Sequence, residues 1–225
     1  MHLFARAALF SVALLMTACA APVPPASVAE ALPEPEDRPA ALAAHLPDTI
    51  AGMVRRQLEQ PLQLPDGLAV AYASPGRRLI LILRQPEGED LPEGIESLAV
   101  RQAAQIGALA LSASIGAQSG AMLRRGPDFE TSLNSGRNGS LLCADFLSQR
   151  PGTPLLRERS CATATAGLLV MMHFSQQAGS ARDPRAVLGE FVDVAIPVML
   201  AIRGAGEAAG MGFAPPLTTG PLLRL

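Results

Sequence analysis

Few side chains in this sequence could act as a nucleophile or as a general base. The 225 residues include three histidines and three cysteines but no lysine, which excludes a lysine nucleophile. A serine or cysteine nucleophile needs a base within hydrogen-bond reach, and only His45 and His173 lie beyond the amino-terminal segment. The sequence has neither a Gly-x-Ser-x-Gly motif nor a zinc-type cluster of cysteine and histidine. We therefore predict that the protein is not an enzyme and carries no cofactor.

Met171 and His173 are the best candidates for metal ligands. They lie two residues apart on a predicted strand, residues 168–176, and therefore point to the same face. A thioether and an imidazole suit copper. Two ligands are too few for such a site, and methionine on a strand more often fills a hydrophobic core. We expect core packing at these two residues.

The amino-terminal segment ends in a cysteine that could carry lipid. Residues 1–18 contain Arg6, then an apolar stretch, then two small residues. This is the organisation of a secretory signal peptide, and the apolar run is shorter than the ~20 residues of a spanning helix. The following sequence, Met16-Thr17-Ala18-Cys19, resembles the lipobox of bacterial lipoproteins, with Met where the family usually has Leu.

The lipobox resemblance implies a lipid-anchored protein of the cell envelope. It implies cleavage before Cys19 and attachment of several acyl chains to that residue, which together make membrane attachment effectively permanent. Ala20 in place of an aspartate implies the outer membrane, with the domain facing the periplasm. The alternative is an ordinary signal peptide with an incidental cysteine.

The composition argues against nucleic acid as a partner. Loss of Arg6 with the signal peptide changes the formal net charge from −2 to −3, which does not favour a polyanion. The sequence has no tryptophan, and Tyr72 is its single tyrosine, so an aromatic platform for bases or sugars is not expected.

Cys143 and Cys161 remain once Cys19 carries lipid. An even pair of cysteines in an oxidising compartment predicts a disulfide. The two lie on predicted strands, residues 140–147 and 156–165, which flank a turn rich in proline and glycine. Closing this loop would stabilise the fold by about 3 kcal/mol.

The hairpin formed by these strands has a predictable register. If it is centred on Gly152, Cys143 lies opposite Cys161 and Asp145 opposite Arg159, an opposite-charge pair. The other face then carries apolar residues that we take as the core side: Leu142, Ala144, Phe146, Leu156, Ala162 and Ala164.

The chain divides into four parts. Residues 1–18 are the signal peptide, and residues 19–44 are the lipidated cysteine and a tether rich in proline and alanine. Residues 45–204 form the folded domain, and residues 205–225, rich in glycine and proline, are expected to be disordered.

Within the domain, a helix capped by Asp48 or an extended segment precedes a β-hairpin over residues 67–84. Asp90 and Glu93 have the spacing of a capping box, so a long helix should begin there. Its predicted inner stripe is Ile95, Leu98, Ile106, Leu109 and Ala113.

The later elements complete the domain. Gly116 and Gly120 match Gly-x-x-x-Gly and predict close packing of the long helix on the sheet. A polar loop over residues 124–138 should follow. A last helix should begin at Pro184 and end at Gly204, with an apolar stripe of Val187, Phe191, Val194, Val198 and Ile202.

Two groups of charged residues have both a functional and a structural interpretation. Glu87, Glu89 and Asp90 could suggest calcium, but an EF-hand loop needs more carboxylates at set spacing. A patch of arginines could bind anionic headgroups or an acidic partner, although a solvated strand rim is the interpretation we prefer: Arg55, Arg56, Arg77, Arg78 and Arg84.

The predicted fold is α+β, with a single antiparallel sheet packed by a long central helix and a C-terminal helix. Its layout is similar to that of the PsbP/DcrB-like family, through residues 46–52, 67–72 and 78–84 and the closing strands and helix. That resemblance implies accessory proteins of binding or assembly and carries over no site residues.

The expected function is that of a non-catalytic, lipid-anchored envelope accessory protein that docks a protein partner or supports an assembly. The alternative is a carrier that binds a small apolar ligand between the helix and the sheet. Docking would require an exposed apolar patch, and a carrier would require an enclosed apolar pocket.

Overall fold

The computed structural model of the chain describes residues 37–58, 67–86, 91–118, 120–133, 139–178 and 184–211, with side chains of the last segment described from residue 187. The predicted signal peptide, Cys19, most of the tether and the acidic residues Glu87, Glu89 and Asp90 lie outside these residues.

The helices are α1 Arg38–His45, α2 Leu98–Gly116 and α3 Pro184–Ala208. The strands are β1 Thr49–Ile50, β2 Met53–Arg56, β3 Gly67–Ser74, β4 Arg77–Arg84, β5 Met122–Arg125, β6 Phe129–Ser132, β7 Ser140–Gln149, β8 Leu156–Thr165 and β9 Leu168–Gln177. They form one sheet in the order β1-β2-β3-β4-β9-β8-β7-β5, with β6 also paired to β7. These neighbours are antiparallel, and the predicted α+β fold is confirmed.

Helices cover both faces of the sheet, so its central strands are buried on both sides. On β9, Val170 and Met172 pack with α1 and α3, while Leu169 and Met171 pack beneath α2. This alternation follows from the two-residue period of a strand, and it explains why the central strands are nearly continuous apolar runs.

Both predicted hairpins are confirmed. β3 and β4 are joined by Pro75 and Gly76, and Gly76 has a φ of 73°, as a type II turn requires. β7 and β8 pair with Cys143 opposite Cys161, and the two sulfur atoms are 2.08 Å apart, in a disulfide. Cys143 is 2% exposed and packs in the cluster under α3. The face that carries the disulfide is therefore also a core face, contrary to the prediction of a one-sided core.

The predicted pair of Asp145 and Arg159 is confirmed and buried. Arg159 Nε donates to Asp145 Oδ1 at 3.0 Å, and Arg159 Nη2 donates to the carbonyl of Val187 at 3.2 Å. The guanidinium lies 4.8 Å from the centre of the Phe191 ring, and Arg159 is 2% exposed. Burial lowers the pKa of Arg159, and the charge of Asp145 acts in the opposite direction. The pair thus joins β7 and β8 to α3.

The folded part begins earlier than predicted. α1 starts at Arg38, where the Asp37 side chain accepts a hydrogen bond from Ala40 N at 3.1 Å. Pro39 is tolerated because it lies in the first turn, and alanine is the best helix former. Leu42 is fully buried. The prediction of a tether up to residue 44 is therefore wrong for residues 38–44.

The segment after α1 is extended, so the helical alternative from Asp48 is wrong. β1 and β2 are joined by Ala51 and Gly52, with φ of 51° and 75°, as in a type I′ hairpin turn.

The polar loop predicted from residue 124 is also wrong in part. β5 and β6 lie there at the sheet edge, where one side of a strand can remain solvated.

The last helix begins at Pro184 as predicted but continues past Gly204 to Ala208. Its predicted stripe is confirmed at Phe191 and at Val194, Val198 and Ile202, which are buried. Ala205 and Met211 are buried too. The prediction of disorder from residue 205 is therefore wrong up to residue 211, and the rest of that tail lies outside the described residues.

Replacing Asp145 with Asn should destabilise the domain strongly, because it leaves the buried Arg159 charge without its carboxylate. We expect the free energy of unfolding to fall by about 3–5 kcal/mol, measured by urea denaturation. The matched control is Asp128→Asn, which removes a pair with Arg125 whose side chains are 52% and 55% exposed and should cost less than about 1 kcal/mol. Equal losses in the two variants would contradict the assigned role of the buried pair.

Candidate functional site

Helix α2 begins at a cap that the sequence analysis missed. Ser97 accepts a hydrogen bond from Val100 N at 3.2 Å. The predicted capping role of Glu93 is wrong, because its carboxylate accepts from Ala166 N at 2.7 Å and from Arg203 Nη2 at 2.9 Å. Glu93 therefore ties the segment before α2 to the β8–β9 turn and to α3, which fixes the start of the helix.

The face of α2 that packs on the sheet consists mostly of small residues. It lies over β7, β8 and β9. Small side chains allow a helix axis to approach a sheet closely. The buried residues of α2 are Val100, Ala103, Ala104, Gly107, Ala108 and Ile115.

Gly107 is the point of closest approach. A Cβ atom at this position would lie 2.5 Å from Ser160 Oγ, 2.9 Å from Met171 Cε and 3.5 Å from His173 Nε2. Ser160 is fully buried on β8. A side chain at position 107 would therefore have to displace Ser160 Oγ and Met171 Cε, so this contact brings α2 close to the sheet.

The opposite face of α2 exposes three large apolar residues. Leu98, Ile106 and Leu109 are 69%, 61% and 66% exposed. The predicted inner stripe is wrong at these residues and at Ala113, which is exposed as well. Ile95 is buried but precedes the helix. Turning the stripe inward would bury Gln102 and Gln105, which lie on the same side, and unpaired buried amides are costly. Those two glutamines were the signal in the sequence.

We call this surface the outer face of α2, formed by Leu98, Gln102, Ile106, Leu109 and Ala113. Residues 102–123 contain no charged residue. At the amino end, Arg101 pairs with Glu96 at 3.2 Å on the surface. The outer face of α2 is therefore exposed and mostly apolar, with Gln102 as its one polar residue.

Gly116 does not pack on the sheet. It is exposed, and a Cβ atom there would meet nothing within 4 Å, so the predicted role of the Gly116–Gly120 motif in helix packing is wrong. Among the described helices, α2 is by length and composition able to cross a membrane, and six of its residues are buried in the domain. It packs on β7, β8 and β9 as a helix of the folded domain.

The copper candidates Met171 and His173 lie on one face of β9, as predicted, directly beneath Gly107. His173 Nε2 and Ser160 Oγ are buried without a hydrogen-bond partner. The described residues contain no group of three His, Cys, Asp or Glu side chains placed for a metal ion. Ser160, Met171 and His173 pack against α2 at Gly107, so they form the surface on which the helix rests.

The arginines of the predicted patch differ in their hydrogen bonds and in their positions on the sheet. Arg77 donates to the carbonyl of Ala51 at 3.3 Å, and Arg55 donates to the carbonyl of Leu46 at 3.4 Å, so both tie neighbouring turns together. Arg84 lies at the opposite end of β4 from Arg77. Arg84 is therefore separated along the sheet from Arg55 and Arg77.

A cavity of about 560 Å³ lies at the edge formed by β2 and β3, away from α2. Its lining is mixed, with Asp48, Arg55, Arg56 and Gln57 beside Leu58, Leu68, Ala69 and Val70. It differs in place and in polarity from the apolar pocket between helix and sheet that a carrier would need.

No protein-family profile and no curated protein matches the chain in sequence. The structure itself defines the class of protein: an α+β domain built on one antiparallel sheet with helices on both faces.

Replacing Gly107 with Ala should destabilise the domain, although alanine is the better helix former. The new methyl group would overlap Ser160 and Met171, and overpacking of this kind costs about 1–3 kcal/mol. The control is Gly116→Ala in the same helix, which meets open space and should stabilise by up to about 1 kcal/mol. Urea denaturation measures both. Effects of the same sign would contradict the close approach at Gly107.

The stability of the domain should depend on pH through His173. Burial lowers the pKa of His173, so the unfolded chain takes up a proton more readily than the folded protein. The stability that neutral His173 contributes is complete above about pH 6.5 and is lost as pH falls below it.

We expect the advantage of the native protein over His173→Asn to shrink between pH 7.5 and pH 5.5 in urea denaturation. Parallel stability curves for the native protein and His173→Asn would refute this role.

Proposed function

We propose that the protein is a non-catalytic, lipid-anchored accessory protein of the cell envelope, which docks a protein partner through the outer face of α2. The observation that carries this proposal is the exposure of Leu98, Ile106 and Leu109 on an uncharged helix face. The same helix is held on the sheet by the contact at Gly107. The face is therefore already in the conformation that a partner would bind, which lowers the entropic cost of binding.

The proposed anchor is Cys19, attached to the outer membrane and placing the domain in the periplasm. The lipobox-like sequence Met16-Thr17-Ala18-Cys19 supports it. The disulfide between Cys143 and Cys161 is consistent with an oxidising compartment.

The placement of the candidate chemical groups supports a non-catalytic role. His173 is packed beneath α2, and His45 ends α1 on the opposite face of the sheet. The carrier alternative has less support, because the close contact of Gly107 with Ser160 occupies the place where an apolar ligand would have to lie. The likeness in layout to the PsbP/DcrB-like family also favours an accessory protein.

The test is photo-crosslinking in cells that make the lipidated protein. A photoreactive amino acid at position 109 should form a covalent adduct with another polypeptide. The control position is Leu200 on α3, which is similarly exposed at 53% but lies on the other side of the sheet, and it should form no such adduct. Absence of an adduct from position 109, or identical adducts from both positions, would contradict docking through the outer face of α2.

A further inference from the structure

We propose that the partner bound by the outer face of α2 is the same face of a second copy of this chain, with the two helices antiparallel about a two-fold axis. This inference rests on the proposed function, because it names the partner of the same surface. Three features carry it: the sizes of the side chains along the face, their spacing, and the dipoles of the two helices.

The sizes of the side chains make the face complementary to itself. Large residues, Leu98, Ile106 and Leu109, occupy the amino-terminal half and the middle of the helix. The exposed residues of the carboxyl-terminal half are small, with Ala113 and Ala117 among them. An antiparallel pair centred between residues 107 and 108 places Leu98 against Ala117 of the other copy and Ile106 against its Leu109. Large residues then meet small ones at both ends, as close packing requires.

The spacing of the face is that of a helix-pairing seam. Gln102, Ile106, Leu109, Ala113 and Gly116 follow one another at intervals of four, three, four and three residues, an average of about 3.5 as in a coiled coil. The glutamine at one end can hydrogen-bond across a protein interface, whereas it would be unpaired in lipid. This favours a protein helix over a membrane surface as the occupant.

The helix dipoles favour the antiparallel arrangement. An antiparallel pair brings the amino end of each helix beside the carboxyl end of the other, so that the two dipoles oppose each other. A parallel pair would place ends of like partial charge together.

The contact should be weak in free solution. A helix of 19 residues is about 28 Å long, so one helix pair lies at the low end of stable interface sizes. We expect a dissociation constant of order 10 μM or weaker. Two copies confined to one membrane by their lipid anchors would meet at a much higher effective concentration.

The experiment is sedimentation equilibrium of the chain from residue 19 onward, with Cys19→Ser to remove the lipid, at concentrations from about 1 to 500 μM. The native face should give a mass that rises toward that of a dimer. Leu109→Glu should remain monomeric, and the milder Ile106→Gln should weaken the dimer at least about tenfold. Leu200→Glu is the matched control and should dimerise like the native face. Circular dichroism checks that each variant is folded.

Disulfide crosslinking tests the orientation in the same chain, where the added cysteine is the one free thiol. A mixture of Leu98→Cys and Ala117→Cys chains should form the mixed dimer faster than either variant pairs with itself. A monomer at every concentration, or a dimer unaffected by Leu109→Glu, would overturn the proposal, and rapid pairing of Leu98→Cys with itself would overturn the antiparallel arrangement. If position 109 crosslinks in cells to a different protein while the purified chain stays monomeric, this inference fails and the docking function stands.

Discussion

The contact between Gly107 and the β8–β9 surface determines how the rest of α2 is presented. Because no side chain separates the helix backbone from Ser160 and Met171, the helix lies low on the sheet. The inner side is filled by small residues together with Val100 and Ile115. Leu98, Ile106 and Leu109 are left on the outside, where they remain 61–69% exposed. Such an arrangement makes physical sense if another molecule covers them.

The larger hydrophobic core lies on the other face of the sheet, beneath α1 and α3. α1 and α3 cover an extensive apolar cluster there, which includes the disulfide. The buried charge of Arg159 is held by Asp145 and by the carbonyl of Val187. Glu93 connects the two sides, since it contacts the β8–β9 turn and also Arg203 on α3. The domain thus has one side with an extensive packed core and one side whose helix leaves Leu98, Ile106 and Leu109 exposed.

The hairpins could be predicted from the sequence because their determinants are local. Pro75 and Gly76 define one turn and Gly152 lies at the centre of the other, and strand alternation then sets every opposite pair, including Cys143 with Cys161. The α+β class followed from the order of these elements. Lipid attachment at Cys19 and the envelope location remain predictions, since those residues lie outside the described part of the chain.

Most of the wrong predictions concern features that are set by contacts between residues far apart in the sequence. Both faces of α2 are apolar, so periodicity alone does not identify the inner one, and the seat for Gly107 is built by strands more than 50 residues away. The partner of Glu93 is Arg203, 110 residues along the chain, whereas the capping-box spacing suggested a local role. α1 was missed because alanine and proline are typical of tethers as well as of a first helical turn.

Carbene footprinting of α2 in intact cells, compared with dilute purified protein, tests the central claim most directly. A small reagent labels exposed side chains wherever they are accessible, whatever covers them in the cell. If a partner covers this face, Leu98, Ile106 and Leu109 are labelled in the dilute protein and protected in cells, while Leu200 on α3 is labelled equally in both. Equal labelling of the outer face of α2 in cells and in dilute solution would contradict the claim that this face is covered by a partner.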